Sequence, residues 1–312
     1  GFFAKHSHRV VPCSQCLLQP QIFDEIMASV TRWAREYEIT PYDETKNKGL
    51  FRHLYLRIAE KTDEIMVVAV INGNKLPFED EFVQCIRSVC GDRLKSVQIN
   101  ENKEKTNVIM GKKCRTLYGQ DYITDILCGI KVRISPLSFY QVNRDMAEKL
   151  YLKAADYAKP QDKNILDLYC GAGTIGLSMA NTAASVVGVE VVPEAIEDAK
   201  FNARNNGIDN ARFICADAAK AAEVLAAENY RPDVVIVDPP RKGCEESLIN
   251  IITDDFSPER VVYVSCDPAT LARDAAIFED KGYKLKEYTP VDLFPRTSHV
   301  ECCALFVHSI RR

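Results

Sequence analysis

Two hydrophobic periods divide the chain. In residues 21–39 (QIFDEIMASVTRWAREYEI) apolar side chains fall at 22, 23, 26, 27, 30 and 33, the three-and-four spacing that lines one face of a helix. Downstream, LFRHLYLRIAE (50–60), EIMVVAVIN (64–72) and KSVQIN (95–100) read as strands of a small antiparallel or mixed sheet, with a helix at 78–91 and further short strands across 107–134. A helix is also expected at 144–158.

From residue 163 the pattern becomes strand, loop, helix, repeated. The strand-like runs are NILDLYC (164–170), SVVGVE (185–190), ARFIC (211–215), DVVIVD (233–238) and VVYVSC (261–266), with helical stretches between them. Such alternation predicts an α/β fold with an open, mostly parallel sheet covered on both faces. The last two runs, 283–294 and 299–308, are joined by too few residues for a right-handed crossover, so the final strand must run antiparallel. That arrangement is the Rossmann-like, methyltransferase variant of the doubly wound fold. The expected division is a helical or linker segment at 1–44, a central α+β domain at 45–130 and the doubly wound domain at 131–312.

Composition narrows the class. The chain has 312 residues, 46% hydrophobic and 27% charged side chains, and a net charge of -4. It is long enough for two domains, and its acidity argues against an enveloping nucleic-acid clamp while leaving room for a local basic patch. No apolar run of 18 residues spans a membrane, and the opening GFFAKHSHRV has no signal-peptide core, so a cytoplasmic location is the expectation. Twelve cysteines are scattered, several in strand-like runs, which suits reduced thiols better than a disulfide frame.

Candidate chemistry lies at the ends of the predicted parallel strands. DLYCGAGTIGLSMA (167–180) places Tyr169, Gly171, Gly173 and Gly176 between a strand and a helix, where missing side chains let a ligand approach the backbone. Glu190 ends the second strand, where a carboxylate can accept both hydroxyl hydrogens of a ribose; Asp217 follows the third and could face an adenine, or simply cap a helix. Asp238 opens DPPRKG (238–243), whose two prolines stop the fourth strand. Arg241 stands where an aromatic commonly follows such prolines, which favours phosphate or carbonyl contact over stacking on a base. Cys266 sits where VVYVSC gives way to the helix start DPATLARD. A thiol placed there can attack an electron-poor ring carbon, and the positive end of the following helix should favour its thiolate.

Taken in order, FYQVN (139–143), DLYCGAGTIG (167–176), DPPRKG (238–243), SCDPATLARD (265–274) and HVE (299–301) resemble the successive motifs of the S-adenosylmethionine-dependent RNA uracil-5-methyltransferases. The likeness covers nearly the whole chain. TLYGQDYITDILCG (116–129), VVPEAIEDAKFNARNNGI (191–208) and PVDLFPRTSHVEC (290–302) are similar to the Gram-positive branch that modifies 23S ribosomal RNA. The resemblance implies that Cys266 adds to carbon 6 of uracil and that carbon 5 then takes a methyl group from S-adenosylmethionine. Glu301 would remove the carbon 5 proton, and Asp238 would bind the imide edge of the base. It also implies that Gln141 lies where cofactor and substrate meet, that Phe139 and Asn143 flank it, and that His299 tunes or orients Glu301. Phe139 reads equally as core, and Asn143 as a helix cap. Arg273 and Arg296 could contact RNA phosphates or orient acids, and Arg52, Arg57, Lys112, Lys113 and Arg115 could grip folded RNA.

The resemblance has two departures. Family members commonly carry an OB-like RNA-binding domain before the segment matching residues 1–20, and several hold a four-iron cluster through a longer cysteine set. Here only Cys13 and Cys16 show a suggestive spacing, so reduced thiols and no iron-sulfur cluster are expected, in a monomer acting on structured RNA. An accessible loop uridine is the favoured target, because extruding it costs less than unstacking a duplex base. Transfer RNA is the alternative substrate. A base-nitrogen methyltransferase and a noncatalytic RNA-binding protein are the alternative classes.

Overall fold

Dense runs of β-branched residues and two amphipathic helices build the first unit. The computed structural model describes residues 1–4, 7 and 9–309, which divide into two units, Gly1–Asp125 with Ile134–Leu137 and Ile126–Arg133 with Ser138 onward. In the first unit, β1 (Phe2–Phe3) and β2 (Val10–Val11) pair antiparallel. They are followed by α1 (Gln21–Glu36), β3 (Phe51–Ala59), β4 (Glu64–Ile71), α2 (Glu79–Cys90), β5 (Leu94–Glu101) and β6 (Lys113–Gly119). The sheet order is β3-β4-β5-β6, antiparallel except where α2 crosses over between parallel β4 and β5, so it is mixed. Ile26, Val30 and Trp33 of α1 pack with Phe82 and Ile86 of α2 over Ile65, Val67, Val97 and Ile99. Trp33 and Phe82 stand 4.8 Å apart between ring centroids. The periodicity that predicts α1 is silent about its partner, and the helix is part of this core rather than of a separate 1–44 segment.

The arginines expected to grip RNA in this unit are largely engaged inside it. Arg52 donates to the carbonyls of Asn102 and Glu104 at 2.9 and 2.8 Å, and Arg115 pairs with Glu79 at 2.6 Å. Arg57 donates to the Tyr55 hydroxyl at 2.5 Å. Lys112 and Lys113 are exposed.

Next come β7 (Ile123–Leu127) and β8 (Ile130–Ile134), joined by Cys128 and Gly129, both at positive φ as a tight two-residue turn requires. The second unit continues with α3 (Arg144–Ala158), β9 (Asn164–Leu168), α4 (Thr174–Ala180), β10 (Ser185–Glu190), α5 (Pro193–Asn205), β11 (Ala211–Cys215) and α6 (Ala218–Ala227). Then follow β12 (Val234–Val237), α7 (Glu246–Asn250), β13 (Arg260–Ser265), α8 (Pro268–Asp280), β14 (Tyr283–Val291) and β15 (Glu301–His308). The sheet order is β11-β10-β9-β12-β13-β15-β14. The first five strands are parallel, and β15 lies antiparallel between β13 and β14. Period-two alternation feeds two cores: Ile165, Val186, Ile236 and Val262 face one helical layer, while Leu166, Val187, Val235 and Tyr263 face the other. This is the expected methyltransferase-type sheet with its terminal antiparallel hairpin.

Candidate active site

Strand direction and register bring the singled-out residues to one edge. Leu168, Val189 and Val237 are in register, so the segments that follow them, with the glycine loop, Glu190 and Asp238, leave the sheet side by side. Ser265 pairs with Cys302, which sets Cys266 next to Glu301, because the antiparallel strand begins where the parallel strands end. Had β15 run parallel, Glu301 would lie at the opposite edge.

One half of this edge is shaped by backbone. Tyr169, Gly171 and Gly173 have φ of 66, 54 and 80°. A Cβ on Gly173 would lie 3.0–3.2 Å from Phe213, Ala199 and Leu177, whereas around Gly171 no atom stands within 4 Å of that position. The loop therefore needs glycine at 173 for packing and leaves open space above 171. Glu190 braces the loop. Its Oε2 accepts from Gly171 N at 3.2 Å, and its Oε1 accepts from Val191 N and Val192 N at 2.8 and 2.9 Å. Asn202, fully buried on α5, donates to Ala172 O at 3.0 Å and accepts from Arg133 N at 2.8 Å. Asp217 is exposed and caps α6 through Ala219 N and Lys220 N at 3.1 and 3.2 Å, the plainer of its two readings. Beneath the loop, buried Asp167 accepts from Gly176 N at 2.9 Å through Oδ2, while its Oδ1 is buried without a partner. Burial pushes the Asp167 carboxyl up to about 7. An orphaned acceptor below an open glycine loop fits a ligand that carries a hydrogen-bond donor.

The other half is shaped by charge. Asp238 is pushed up to about 8, by burial first and then by the neighbouring charges of Glu301 and Asp167. Glu301 is 6% exposed, and its carboxyl is also raised by burial, with Arg241 opposing. Cys266 is half-buried. Its thiol is raised by burial and by Glu301 and Asp238, against the pull of Arg241 and a backbone hydrogen bond. Burial, seconded by two acids, thus acts against the expected helix-end activation. Tyr151, buried on α3, completes the group: burial and Asp238 raise its hydroxyl, and a hydrogen bond with Gln141 lowers it. Gln141, Tyr151, Asp238, Glu301, Cys266 and Arg241 therefore form one electrostatic neighbourhood.

Other expected residues stand apart from it. Phe139 is 76% exposed rather than part of the core. Asn143 caps α3 through Met146 N at 3.3 Å and donates to Leu293 O at 3.0 Å, tying the FYQVN segment to the loop before β15. His299 is exposed, its ring edge-on to Phe294. Arg273, expected at phosphate or at an acid, takes the second place, its guanidinium turned to Asp274 at 2.6 Å and to Lys242 O at 2.9 Å. Tyr151, Asn202 and Asp274 escaped sequence reasoning because each reads as an ordinary helix position. Asp167 had a readable signal, being the acid that opens the glycine motif. Among the described residues no group of three or more His, Cys, Asp or Glu is placed to hold a metal ion, and no helix is long and apolar enough to cross a membrane. Cys13 and Cys16 are free, half-buried thiols.

A sheet of this order, with a glycine loop after β9 and an acid at the end of β10, defines a class I methyltransferase fold. Residues 98–309 match the sequence model of the tRNA (uracil-5-)-methyltransferase family, and the chain belongs to that family. It is similar to an uncharacterized RNA methyltransferase of Halalkalibacterium halodurans, 44% identical over 306 residues, covering 98% of this chain and 66% of that protein. A Staphylococcus aureus RNA methyltransferase, also uncharacterized, is 45% identical over 307 residues, covering 98% of this chain and 67% of its own. The chain thus spans about two thirds of the length of these curated relatives. Among solved structures it resembles the Pyrococcus abyssi tRNA (uracil-54, C5)-methyltransferase in complex with S-adenosyl-L-homocysteine. The TM-score is 0.84 at 29% identity, over 98% of this chain and 72% of that one.

Proposed function

We propose that the protein methylates carbon 5 of a uridine in structured RNA, with S-adenosylmethionine as donor and 23S ribosomal RNA as preferred substrate, acting as a cytoplasmic monomer. The observation that carries this reading is the meeting of a thiol, Cys266, with two proton-affine carboxyls, Glu301 and Asp238, beside a glycine loop. Family membership and the likeness to the P. abyssi enzyme support it. When bound, the donor supplies an electrophilic methyl group. Gly171 and Gly173 would hold it against the backbone, with Tyr169 and Glu190 beside them, Asp167 below and Asp217 near its adenine.

Each chain residue then has a task. Carbon 5 of uracil is a weak nucleophile, so the Cys266 thiolate first bonds to carbon 6, and the ring becomes an enolate whose carbon 5 forms the new bond to methyl as the methyl–sulfur bond breaks and S-adenosylhomocysteine leaves. Asp238, protonated up to about pH 8, can donate to a uracil carbonyl as negative charge gathers there. Gln141, which can donate and accept, orients the base or the donor from its place beside Tyr151. Glu301 takes the carbon 5 proton. The electron pair left behind re-forms the carbon 5–carbon 6 double bond and expels the Cys266 thiolate. A carboxylate raised by burial is a stronger base for that task than a free one.

The test is mass spectrometry of Glu301→Gln incubated with S-adenosylmethionine and RNA. A protein–RNA adduct carrying the added methyl should accumulate, while turnover falls by about 10²–10⁴. A variant that turns over like the parent and traps no adduct would refute Glu301 as the base. Running 23S fragments beside tRNA decides the substrate, and tRNA is favoured as the second reading by the name of the family and of the P. abyssi protein.

A further inference from the structure

The loop that carries Asp238 and Arg241 leaves β12 through two prolines, tied to the sheet at its start by Asp238 N donating to Leu168 O at 3.3 Å, yet it must hold the side chains beyond that tie against Cys266. Its fixation comes from α8, the helix that starts two residues after Cys266. Asp274 on that helix is completely buried. Its Oδ2 accepts from Cys244 N at 2.8 Å and from the Tyr263 hydroxyl at 2.6 Å. Its Oδ1 accepts from Arg273 Nε at 2.8 Å and Nη2 at 2.6 Å. The same Nη2 reaches Lys242 O at 2.9 Å and Cys244 O at 3.4 Å. Gly243, at φ +78°, is pressed into this clamp: a Cβ there would lie 2.5 Å from Arg273 Nη2 and 2.6 Å from Asp274 Oδ2. A buried carboxylate is tolerated only with such compensation.

We propose that Arg273 and Asp274 are positioning residues that lock the Asp238–Gly243 loop to the helix behind Cys266, so that Arg273 acts on the methyl-transfer geometry and not on RNA affinity. The inference rests on the uracil-5 reading for its kinetic test but not for its chemical one. Tyr263 anchors the clamp from β13, the strand that delivers Cys266, so nucleophile, helix and loop share one rigid unit.

Arg273→Ala is the informative variant, because that side chain is 53% exposed and its removal leaves the apolar core untouched. Misplacing a reacting group by about 1 Å costs on the order of 10²-fold. The variant should lower kcat by about 10–100-fold, with KM for RNA and cofactor affinity within about twofold of the parent. Arg273→Lys, which can reach Asp274 but cannot fork to the loop, should recover part of the loss. Independently of any RNA, the alkylation rate of Cys266 by iodoacetamide at pH 8, read on its own peptide, should change at least about threefold as Asp238 and Arg241 shift around it. Raised KM with unchanged kcat and a salt dependence reduced by about one phosphate contact would make Arg273 an RNA contact and overturn the proposal. An unchanged alkylation rate with a lowered melting temperature would reduce the clamp to a stability feature and overturn it equally. If alkylation shifts while the parent itself methylates no RNA, the clamp stands and the uracil reading falls.

Discussion

The two halves of the catalytic edge solve different problems with different materials. On the side of β9, β10 and β11, recognition is built from backbone: positive-φ residues, a close-packed glycine, and acids whose oxygens are mostly taken up by main-chain amides. On the side of β12, β13 and β15, burial and then neighbouring charge raise the proton affinities of Asp238 and Cys266, burial raises that of Glu301, and Arg241 opposes at the last two. Binding a ligand of fixed shape rewards rigidity. Moving protons and making a transient covalent bond rewards groups that sit near a protonation change, and crowding acids around a thiol supplies that at the expense of stability.

The sharpest way to test the division is Cys266→Ala. If chemistry lives only in the second half, adduct formation should vanish and turnover fall by roughly 10⁴-fold or more, while calorimetry gives an unchanged affinity for S-adenosylmethionine. Retained turnover would instead favour methylation of a base nitrogen, which needs no thiol.

The converse experiment is smaller in effect. Gly173→Val places a β-branched side chain at φ 80° with its Cβ against Phe213, Ala199 and Leu177. Left-handed backbone strain of about 1–3 kcal/mol and the displaced loop should weaken donor binding at least about tenfold. The alkylation rate of Cys266 should stay as it was. A change in thiol reactivity would mean that the two halves are mechanically coupled through the sheet.

This contrast also explains what could be read in the chain. Strand-loop-helix alternation and the short tail connection sufficed for the parallel sheet and the antiparallel end; Glu301 came from the family resemblance, and its meeting with Cys266 follows from strand direction once β15 stands beside β13. Glycines and acids at strand ends were legible for the same reason. Partnerships across the fold were not. Arg273 on a helix face looks like any solvated cation, and only folding brings Cys244 N and the Tyr263 hydroxyl onto its neighbour Asp274. Tyr151 carries the spacing of a core residue and is one, yet its hydroxyl lies beside Asp238 and Gln141. Helix α1 shows its apolar stripe in sequence, but nothing in a stripe names Phe82 as what it covers. At Cys266 the helix start is visible in sequence, whereas the burial and the converging acids that raise its thiol are not.

Arg241 offers the finest test of the charged half, since among the described residues it is the cation that opposes the upward shifts at both Cys266 and Glu301. Removing it should raise the proton affinity of both groups. Less thiolate is then present at a given pH, so the alkylation profile of Cys266 in Arg241→Ala should move to higher pH. Because Arg241 is exposed, water and salt screen its field, and the rate at pH 8 should drop only about two- to threefold in dilute buffer. The difference should shrink toward nothing near 1 M salt, where the Debye length is about 3 Å. If the profile does not move but KM for RNA rises with a weaker salt dependence, Arg241 serves the phosphate backbone. The thiol would then be governed by burial and the two carboxyls, with no cation offsetting them.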